Sequence, residues 1–393
     1  MNSDQSSARR RAAFTIIVAS TLIGIAGTDL ILPAVPSLPS ALNTTAERAQ
    51  YVLAAFVLGS AFGLIAFGTL GARYNQRILL VGSLLLYAMT SAIGACSSTL
   101  EFLVTTRFFQ GAAGSAAAVF APGMIRKLYG DENSVSALGL LSSIEALAPA
   151  LAPIVGLWLL NFGGWPISFV AIAAVALLLA LCAACFGRDL AVQQRAQQSG
   201  SYLLLLRNRE FIRYALSHAL TLGGLLVIVF ASPSVFVGAL GASLTDFIIM
   251  QAAGIAAFMI AANLSSRALA KWGTETVLWA GSWLALGSAV GILGLAFIGR
   301  TEPWTVTLLF IPFNIGLGLR GPAGFYRAVI AAHGDDARGA AIVVVAILVS
   351  AAAGTGLVAP FITEGLLPVG ATAVAMVLVA MLLLRAAALT PSK

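Results

Sequence analysis

Residues 20–40 read STLIGIAGTDLILPAVPSLPS, and they lie inside an apolar run that is long enough to cross a lipid bilayer. This stretch nevertheless contains a carboxylate, Asp29. A charged side chain at membrane depth costs about 2.5–3.5 kcal/mol, so it is retained where it has a partner, a water-filled cavity or a proton to carry. The prolines Pro33, Pro36 and Pro39 predict a helix that bends or ends just after this carboxylate. Asp29 is therefore the first candidate for a functional residue; the alternative is a carboxylate that snorkels or caps near the outer helix end.

The overall composition indicates a polytopic membrane protein. The 393 residues are 60% hydrophobic and 9% charged, with a mean hydropathy of +0.97. Long apolar runs recur along the whole chain, whereas a β-barrel would show short segments of alternating polarity. We therefore predict an all-α integral membrane fold, with twelve transmembrane helices in two pseudo-symmetric six-helix bundles. The predicted spans are 12–35, 49–70, 78–97, 100–124, 135–160, 165–186, 214–238, 244–265, 276–298, 304–328, 338–362 and 366–388.

The longest polar-rich stretch between spans divides the chain. Residues 187–213 read GRDLAVQQRAQQSGSYLLLLRNREFIR and have six predicted spans on each side. We predict an N-terminal bundle over 1–186, a cytoplasmic linker over 187–213 and a C-terminal bundle over 214–393. Each half also contains a basic pair with the same spacing in the same loop, which fits a parallel internal repeat: Arg73 with Arg77, and Arg267 with Lys271.

The basic residues predict the orientation of the spans. With both termini on the cytoplasmic side, eighteen of the 22 Lys and Arg residues lie at the inner face. Only Arg48 and Arg300 lie in outer loops, and Arg107 and Arg320 lie inside spans. The net charge of +7 therefore reports topology, and we expect no nucleic-acid partner.

Two of the charges inside spans are predicted to share a depth. At about 1.5 Å per residue, Asp29 lies roughly 27 Å along an outward span, and Arg107 lies roughly 10 Å below the outer surface on an inward span. A carboxylate and a guanidinium at matching depth offset each other's burial cost, and removal of one leaves the other unpaired.

Three further ionisable residues fall in spans. Glu145 lies near the midplane, where loss of hydration disfavours its charged form, so it could exchange protons near neutral pH; the alternative is a hydrogen-bonded structural carboxyl. Arg320 comes late in an inward span and is expected to reach the inner vestibule or the lipid headgroups. His218, near the start of span 7, suits proton transfer chemically, but we expect a structural role for it.

No other chemistry competes with transport in this sequence. It contains no GxxxxGK[ST] nucleotide loop, no cluster of metal ligands and no arrangement of catalytic nucleophile and base. We therefore expect no enzyme activity, no metal and no cofactor.

Two N-terminal motifs resemble those of a known family. The segment GTDLILPAVPSLPSAL (27–42), with an acidic residue before a proline-broken helix end, is similar to the first-span motif of major facilitator transporters of the drug:proton antiporter branch, the Bcr/CflA and MdfA type. RFFQGAAGSAAA (107–118) resembles the span 4 motif of that superfamily, whose arginine is functionally required. The resemblance implies functional roles for Arg107, Gln110 and Gly111.

Two later motifs extend the resemblance across the chain. EALAPALAPIVG (145–156) resembles the antiporter motif of span 5, which implies conformational roles for Pro149, Pro153 and Gly156. ASPSVFVGALGASLTDF (231–247) resembles the end of span 7 in the Bcr/CflA type.

The sequence departs from this family in two places. The loop between spans 2 and 3 reads GTLGARYNQR (68–77), in which Ala72 replaces the acidic residue that normally helps to lock the outward-facing state. MdfA-type proteins also tend to carry an extra acid early in span 1, close to where this chain has Thr21, and Glu145 offers a second carboxylate instead. The loop keeps the motif residues Gly68, Leu70, Arg73 and Arg77.

The resemblance implies a proton-coupled antiporter of the bacterial inner membrane that exports small hydrophobic or cationic compounds by alternating access. We expect it to be a monomer whose partners are a small-molecule substrate, protons and membrane lipid. Alternatives within transport are a dedicated exporter of an endogenous metabolite, such as a siderophore-like chelate, and a proton-coupled importer. A membrane sensor on the same fold is the alternative outside transport. The residues expected to contact substrate are Asp29, Glu145, Phe56, Phe120 and Phe236.

Overall fold

The computed structural model describes residues 3–186, 202–299, 302–332 and 336–386. Within these ranges the chain folds into helices joined by short turns, and twelve segments are long and apolar enough to cross a membrane. The predicted all-α membrane class with twelve spans is confirmed. In chain order, the helices are α1 Ser3–Asp29, α2 Leu38–Ala41, α3 Ala46–Ala49, α4 Tyr51–Gly71, α5 Gln76–Ala95, α6 Leu100–Gly114, α7 Ala116–Glu145, α8 Ala148–Gly163, α9 Trp165–Phe186, α10 Tyr202–Arg207, α11 Arg209–Ser234, α12 Leu244–Trp272, α13 Thr274–Ile298, α14 Pro303–Ile330, α15 Asp336–Val358 and α16 Leu366–Ala386.

The start of span 7 differs from the prediction because a cap decides it. The sequence predicts span 7 over 214–238, whereas α11 begins at Arg209, inside the stretch predicted as the linker. The side chain of Asn208 accepts hydrogen bonds from the backbone N–H groups of Glu210 and Phe211 at 3.0 and 3.1 Å, which starts the helix there. The first part of the predicted linker, 187–201, lies outside the described residues.

Glycines with positive φ end or turn two helices. The sequence predicts span 8 over 244–265, but α12 continues to Trp272 and stops only at Gly273, whose φ is 77°. The helix α7 contains a second such residue, Gly130, with φ 73° and ψ 171°. Gly130 ends span 4, and span 5 begins at Ser136, so α7 is two helices joined by a sharp turn.

The described chain forms two compact units. The first consists of the described parts of 1–43 and 55–198, and the second of residues 44–54 with the described parts of 199–393. In the first unit α1 packs against α6, α7, α8 and α9, so the helix that contains the opening stretch of sequence is central to it. The approach of α1 to α6 is close, since a Cβ atom on Gly24 would lie 2.5 Å from the carbonyl oxygen of Gly114.

The second unit is organised around α11 and α14. The helix α11 packs against α14, α15 and α16, and α14 packs against α12 and α13. Residues 44–54 belong to this unit because α3 packs on a 3-10 turn at Ala359–Glu364.

Candidate functional site

The end of α1 forms the first part of the candidate site. The helix ends at Asp29, and a 3-10 segment, Leu32–Ser37, follows with Pro33 in its first turn. The prediction that the prolines end the helix just after Asp29 is therefore confirmed. Asp29 is only 9% exposed, and it lies where the regular backbone hydrogen bonding of α1 stops.

Arg107 reaches the same part of α1 from α6. Its side chain is fully buried, with 0% exposure, and its Nη1 donates to the carbonyl oxygen of Gly27 at 3.0 Å and to Oε1 of Gln110 at 2.6 Å. Gly27 lies two residues before Asp29, so the guanidinium is held at the last turn of α1. Its positive charge therefore lies in the part of the unit where a carboxylate must be accommodated in low dielectric.

A series of hydrogen bonds holds Gln110, the side-chain partner of Arg107, in place. Gln110 Nε2 donates to Oγ of Ser91 at 2.6 Å, and Ser91 Oγ donates to the carbonyl oxygen of Tyr87 at 2.6 Å. The hydroxyl of Tyr87 in turn donates to the carbonyl oxygen of Ile23 at 3.0 Å. The network therefore ties α5 and α6 to α1 at two points one helical turn apart.

Tyr87 and Ser91 are members of this site that sequence reasoning missed. The available signal is two polar side chains four residues apart in span 3, which lie on one face of the helix. Hydroxyls of this kind are common in membrane spans, so the spacing alone does not indicate a role.

Phe56 packs its ring on the guanidinium. The Cζ atom of Arg107 lies 4.1 Å from the centroid of the Phe56 ring and 5.8 Å from that of Phe169. These distances are in the range of a cation–π interaction, which is strongest where water is excluded. Phe56, predicted to contact substrate, is thus buried beside the Arg107 guanidinium, and its contact with a substrate stays a prediction.

Glu145 lies at a break in span 5. The helix α7 ends at Glu145, and α8 begins at Ala148 with Pro149 in its first turn. The carboxyl of Glu145 is half-buried and lies beside Thr21 of α1, whose hydroxyl donates to the carbonyl oxygen of Val18 at 2.9 Å. Thr21 is close to the position in span 1 at which the related transporters tend to carry an extra acid, so the structure brings a carboxylate from α7 to that position.

The glycines of the span 4 and span 5 motifs allow close helix contacts. A Cβ atom on Gly111 would overlap the carbonyl oxygen of Phe56, and one on Gly156 would overlap the carbonyl oxygen of Leu30, directly after Asp29. Pro153 is buried inside α8. The span 5 motif therefore places α8 against the end of α1.

In the loop motif after span 2, Arg77 contacts a neighbouring helix, whereas Arg73 is exposed. Arg77 donates from Nε to the carbonyl oxygen of Ala183 at 3.1 Å and from Nη2 to that of Ala184, so it caps the end of α9. Arg73 is exposed, and a Cβ atom on Gly68 would meet nothing within 4 Å. Conformational roles for Gly68 and Arg73 stay predictions.

Two of the predicted substrate contacts are deeply buried. Phe120 is 1% exposed and packs edge-on against Phe67 at 6.0 Å between ring centroids, within the hydrophobic core of the first unit. Phe236 is buried in the second unit, in a short π-helical segment, Val235–Ala239. Their roles in binding a substrate stay predictions.

The second unit contains a buried arginine that the sequence places wrongly. Arg320 is predicted to reach the inner vestibule or the headgroups, but it is 1% exposed and bonded to α11. Its Nη2 donates to Ser217 Oγ at 2.9 Å, and its Nη1 donates to Ser217 O at 3.4 Å and to Thr221 Oγ1. His218 is buried next to it, with its ring 6.0 Å from that of Phe325. The hydroxyls of one neighbouring helix turn hold the guanidinium inside the unit, so it does not snorkel.

The chain is similar to a known protein family and to several bacterial proteins. A profile of the major facilitator superfamily matches residues 17–357. A chloramphenicol resistance protein of Pseudomonas aeruginosa is 30% identical over 310 residues, which cover 78% of this chain and 73% of that protein. A bicyclomycin resistance protein homolog of Haemophilus influenzae is 25% identical over 297 residues, which cover 70% of this chain and 75% of that protein.

Two solved transporter structures have a fold similar to that of this chain. A bacterial homolog of the human lysosomal transporter Spinster, in an inward-facing and unoccupied conformation, has a TM-score of 0.69 at 12% identity, covering 98% of this chain and 96% of that chain. The proton:xylose symporter XylE has a TM-score of 0.64 at 18% identity, covering 97% of both chains. At these identities the likeness establishes the fold alone. Because the superfamily profile spans most of the sequence and both curated relatives align over more than two thirds of it, this chain belongs to the major facilitator superfamily.

Proposed function

We propose that this transporter is a proton-coupled antiporter that exports small hydrophobic or cationic compounds by alternating access. The observation that carries the proposal is the attachment of the buried Arg107 guanidinium to the carbonyl oxygen of Gly27, at the point where α1 ends with Asp29. The charge of this guanidinium opposes the cost of ionising a carboxylate buried at the same helix end, so such a carboxylate can gain and lose a proton.

The proposed exchange rests on competition at the carboxylates. Burial of a carboxylate favours its protonated form, and a positive charge nearby favours its ionised form. Either a proton or a cationic substrate can therefore neutralise the same carboxylate. Once one of them is bound, the other gains no further electrostatic stabilisation there. Binding of one releases the other, which is the requirement for antiport.

The curated relatives support an efflux function. Their names refer to resistance to chloramphenicol and to bicyclomycin, and another, from Salmonella typhimurium, is named multidrug resistance protein MdtL and is 24% identical over 306 residues. Export of uncharged or cationic drugs is therefore the substrate class to test first. We also propose that the protein is a monomer in a bacterial inner membrane with both termini cytoplasmic. The bacterial relatives support only the bacterial membrane.

The test is transport into everted membrane vesicles with an imposed pH gradient, acid inside, across a panel of neutral and cationic compounds. We expect accumulation of at least one compound, dependent on the gradient and strongly reduced in Asp29→Asn at equal protein level. Glu302→Gln is the matched control, since Glu302 is an exposed carboxylate before α14. It should transport like the wild-type protein.

The other outcomes separate the alternative functions. Gradient-driven loss of compound from preloaded everted vesicles would indicate a proton-coupled importer, and transport of a single metabolite with no drug would indicate a dedicated exporter. Absence of transport for the whole panel, with proton release also absent on addition of each compound, would favour a sensor. Full gradient-driven transport by Asp29→Asn would remove Asp29 from the mechanism.

A further inference from the structure

A cavity at one end of the first unit is not used by the proposed transport site. It has a volume of about 340 Å³ and is lined by Arg10, Phe14, Tyr129, Ser136, Ala137 and Leu140. Arg10 and Phe14 lie on α1, and the other four lie on either side of the Gly130 turn in α7. The cavity therefore lies where the ends of spans 1, 4 and 5 meet.

The lining residues separate into a polar end and an apolar end. Span 1 runs into the membrane from Arg9, and Phe14 lies one helical turn deeper than Arg10. Span 5 likewise begins at Ser136, and Leu140 lies one turn deeper. The guanidinium and the Ser136 hydroxyl therefore lie at the membrane surface, with a phenyl ring and a leucine side chain below them.

The aromatic side chains hold Arg10 at this cavity. Its Cζ atom lies 5.8 Å from the centroid of the Tyr129 ring, and the Phe14 and Tyr129 rings pack edge to face at 5.7 Å. Among the side chains that the structure describes, none is an acidic partner for Arg10. Its exposed guanidinium therefore keeps hydrogen-bond donors that a ligand oxygen can accept from.

The charge around the cavity selects the ligand. Arg9, Arg11 and Arg126 are exposed at the same ends of spans 1 and 4, and in the sequence the basic residues there outnumber the two carboxylates of the following turn, Asp131 and Glu132. An anionic phosphodiester is attracted to such a basic surface, whereas the ammonium of a zwitterionic headgroup is repelled. On the predicted orientation, this surface faces the inner leaflet, where anionic lipids interact with basic residues.

We propose that this cavity binds one anionic phospholipid of the inner leaflet, with its phosphate on Arg10 and Ser136 and its first acyl carbons against Phe14 and Leu140. The bound lipid bridges α1 to both sides of the Gly130 turn. It thereby stabilises the ends of three spans in the first unit. The proposal is independent of the transported substrate and of proton coupling.

The test measures lipid binding to the purified full chain after delipidation in detergent. Phosphatidylglycerol and phosphatidylethanolamine are titrated separately, bound lipid is counted by native mass spectrometry, and the midpoint of thermal unfolding is recorded. Arg10→Gln is compared with Arg385→Gln, which removes the same charge from an exposed arginine in the last turn of α16, in the second unit. Inorganic phosphate serves as a competitor that lacks acyl chains.

We expect phosphatidylglycerol to bind more tightly than phosphatidylethanolamine and to raise the unfolding midpoint. Its affinity should fall about fivefold or more in Arg10→Gln, the effect of one basic residue near the surface, and less than twofold in Arg385→Gln. Equal losses in both variants, or no loss in either, would overturn the site in favour of diffuse surface attraction. Displacement of the lipid by millimolar inorganic phosphate would also overturn it, because the site would then recognise free phosphate.

Discussion

Substitution of Gly156 by alanine tests the packing of α8 on the end of α1. A Cβ atom at this position would overlap the carbonyl oxygen of Leu30 and lie 3.0 Å from its carbonyl carbon. Both atoms belong to the backbone directly after Asp29, so no side-chain rotation relieves the contact. Either α8 or the end of α1 must move.

The expected magnitude follows from two opposing effects. Forcing an extra methyl group into a packed interface costs about 1–3 kcal/mol. Alanine in place of glycine in a helix interior stabilises by roughly 0.5–1 kcal/mol. Gly139→Ala is the matched control in the same span, since a Cβ atom there would meet nothing within 4 Å. The difference in free energy of unfolding between the two variants therefore isolates the steric effect, about 1–3 kcal/mol.

Unfolding of both variants in mixed micelles by sodium dodecyl sulfate, followed by circular dichroism, gives this difference. We also expect Gly156→Ala to reduce gradient-driven transport at least roughly tenfold at equal protein level, because it displaces the helix end that carries Asp29. Gly139→Ala should transport normally. Equal stabilities of the two variants, or full transport by Gly156→Ala, would refute the close contact between Gly156 and Leu30 as a determinant of the site.

Two further predictions concern the charged residues of the first unit. Arg107→Ala should abolish gradient-driven transport at normal expression, because it leaves the carbonyl of Gly27 without this donor. Arg107→Lys should restore only part of the transport, since an ammonium lacks the planar donor fork of the guanidinium. Wild-type transport by Arg107→Ala would contradict this prediction. Glu145→Gln should lose dicationic substrates before neutral ones if Glu145 carries a second proton, measured on a substrate panel together with proton release on binding. Survival of every substrate, with unchanged proton release, would leave Glu145 as a structural carboxyl beside Thr21.

Much of the fold could be predicted because lipid imposes strict rules on sequence. Backbone groups in hydrocarbon must be satisfied within each helix, so every span appears as a long apolar run. The end of α1 at Asp29 could also be predicted from the sequence, because the prolines after it remove backbone hydrogen-bond donors. The span ends were less predictable where a single cap decides them, as at Asn208 and Gly273.

The candidate site could be predicted only in part. The residues Asp29, Arg107 and Glu145 stand out because ionisable groups are rare inside spans. The groups around Arg107 do not stand out, since the carbonyl of Gly27 and the hydroxyls of Ser91 and Tyr87 resemble many others in the chain.

The sequence by itself determined the membrane class, the number of spans, the break after Asp29 and the identity of the buried charges, because each depends on the local cost of placing polar groups in lipid. The tertiary structure alone decided what those charges touch. One residue of rotation turns a helical side chain by about 100°, so small shifts in packing decide between lipid, a neighbouring helix and a headgroup. Arg320 illustrates this difference: its position near the end of a span predicts snorkelling, but the hydroxyls of Ser217 and Thr221 on the adjacent helix hold it inside the unit.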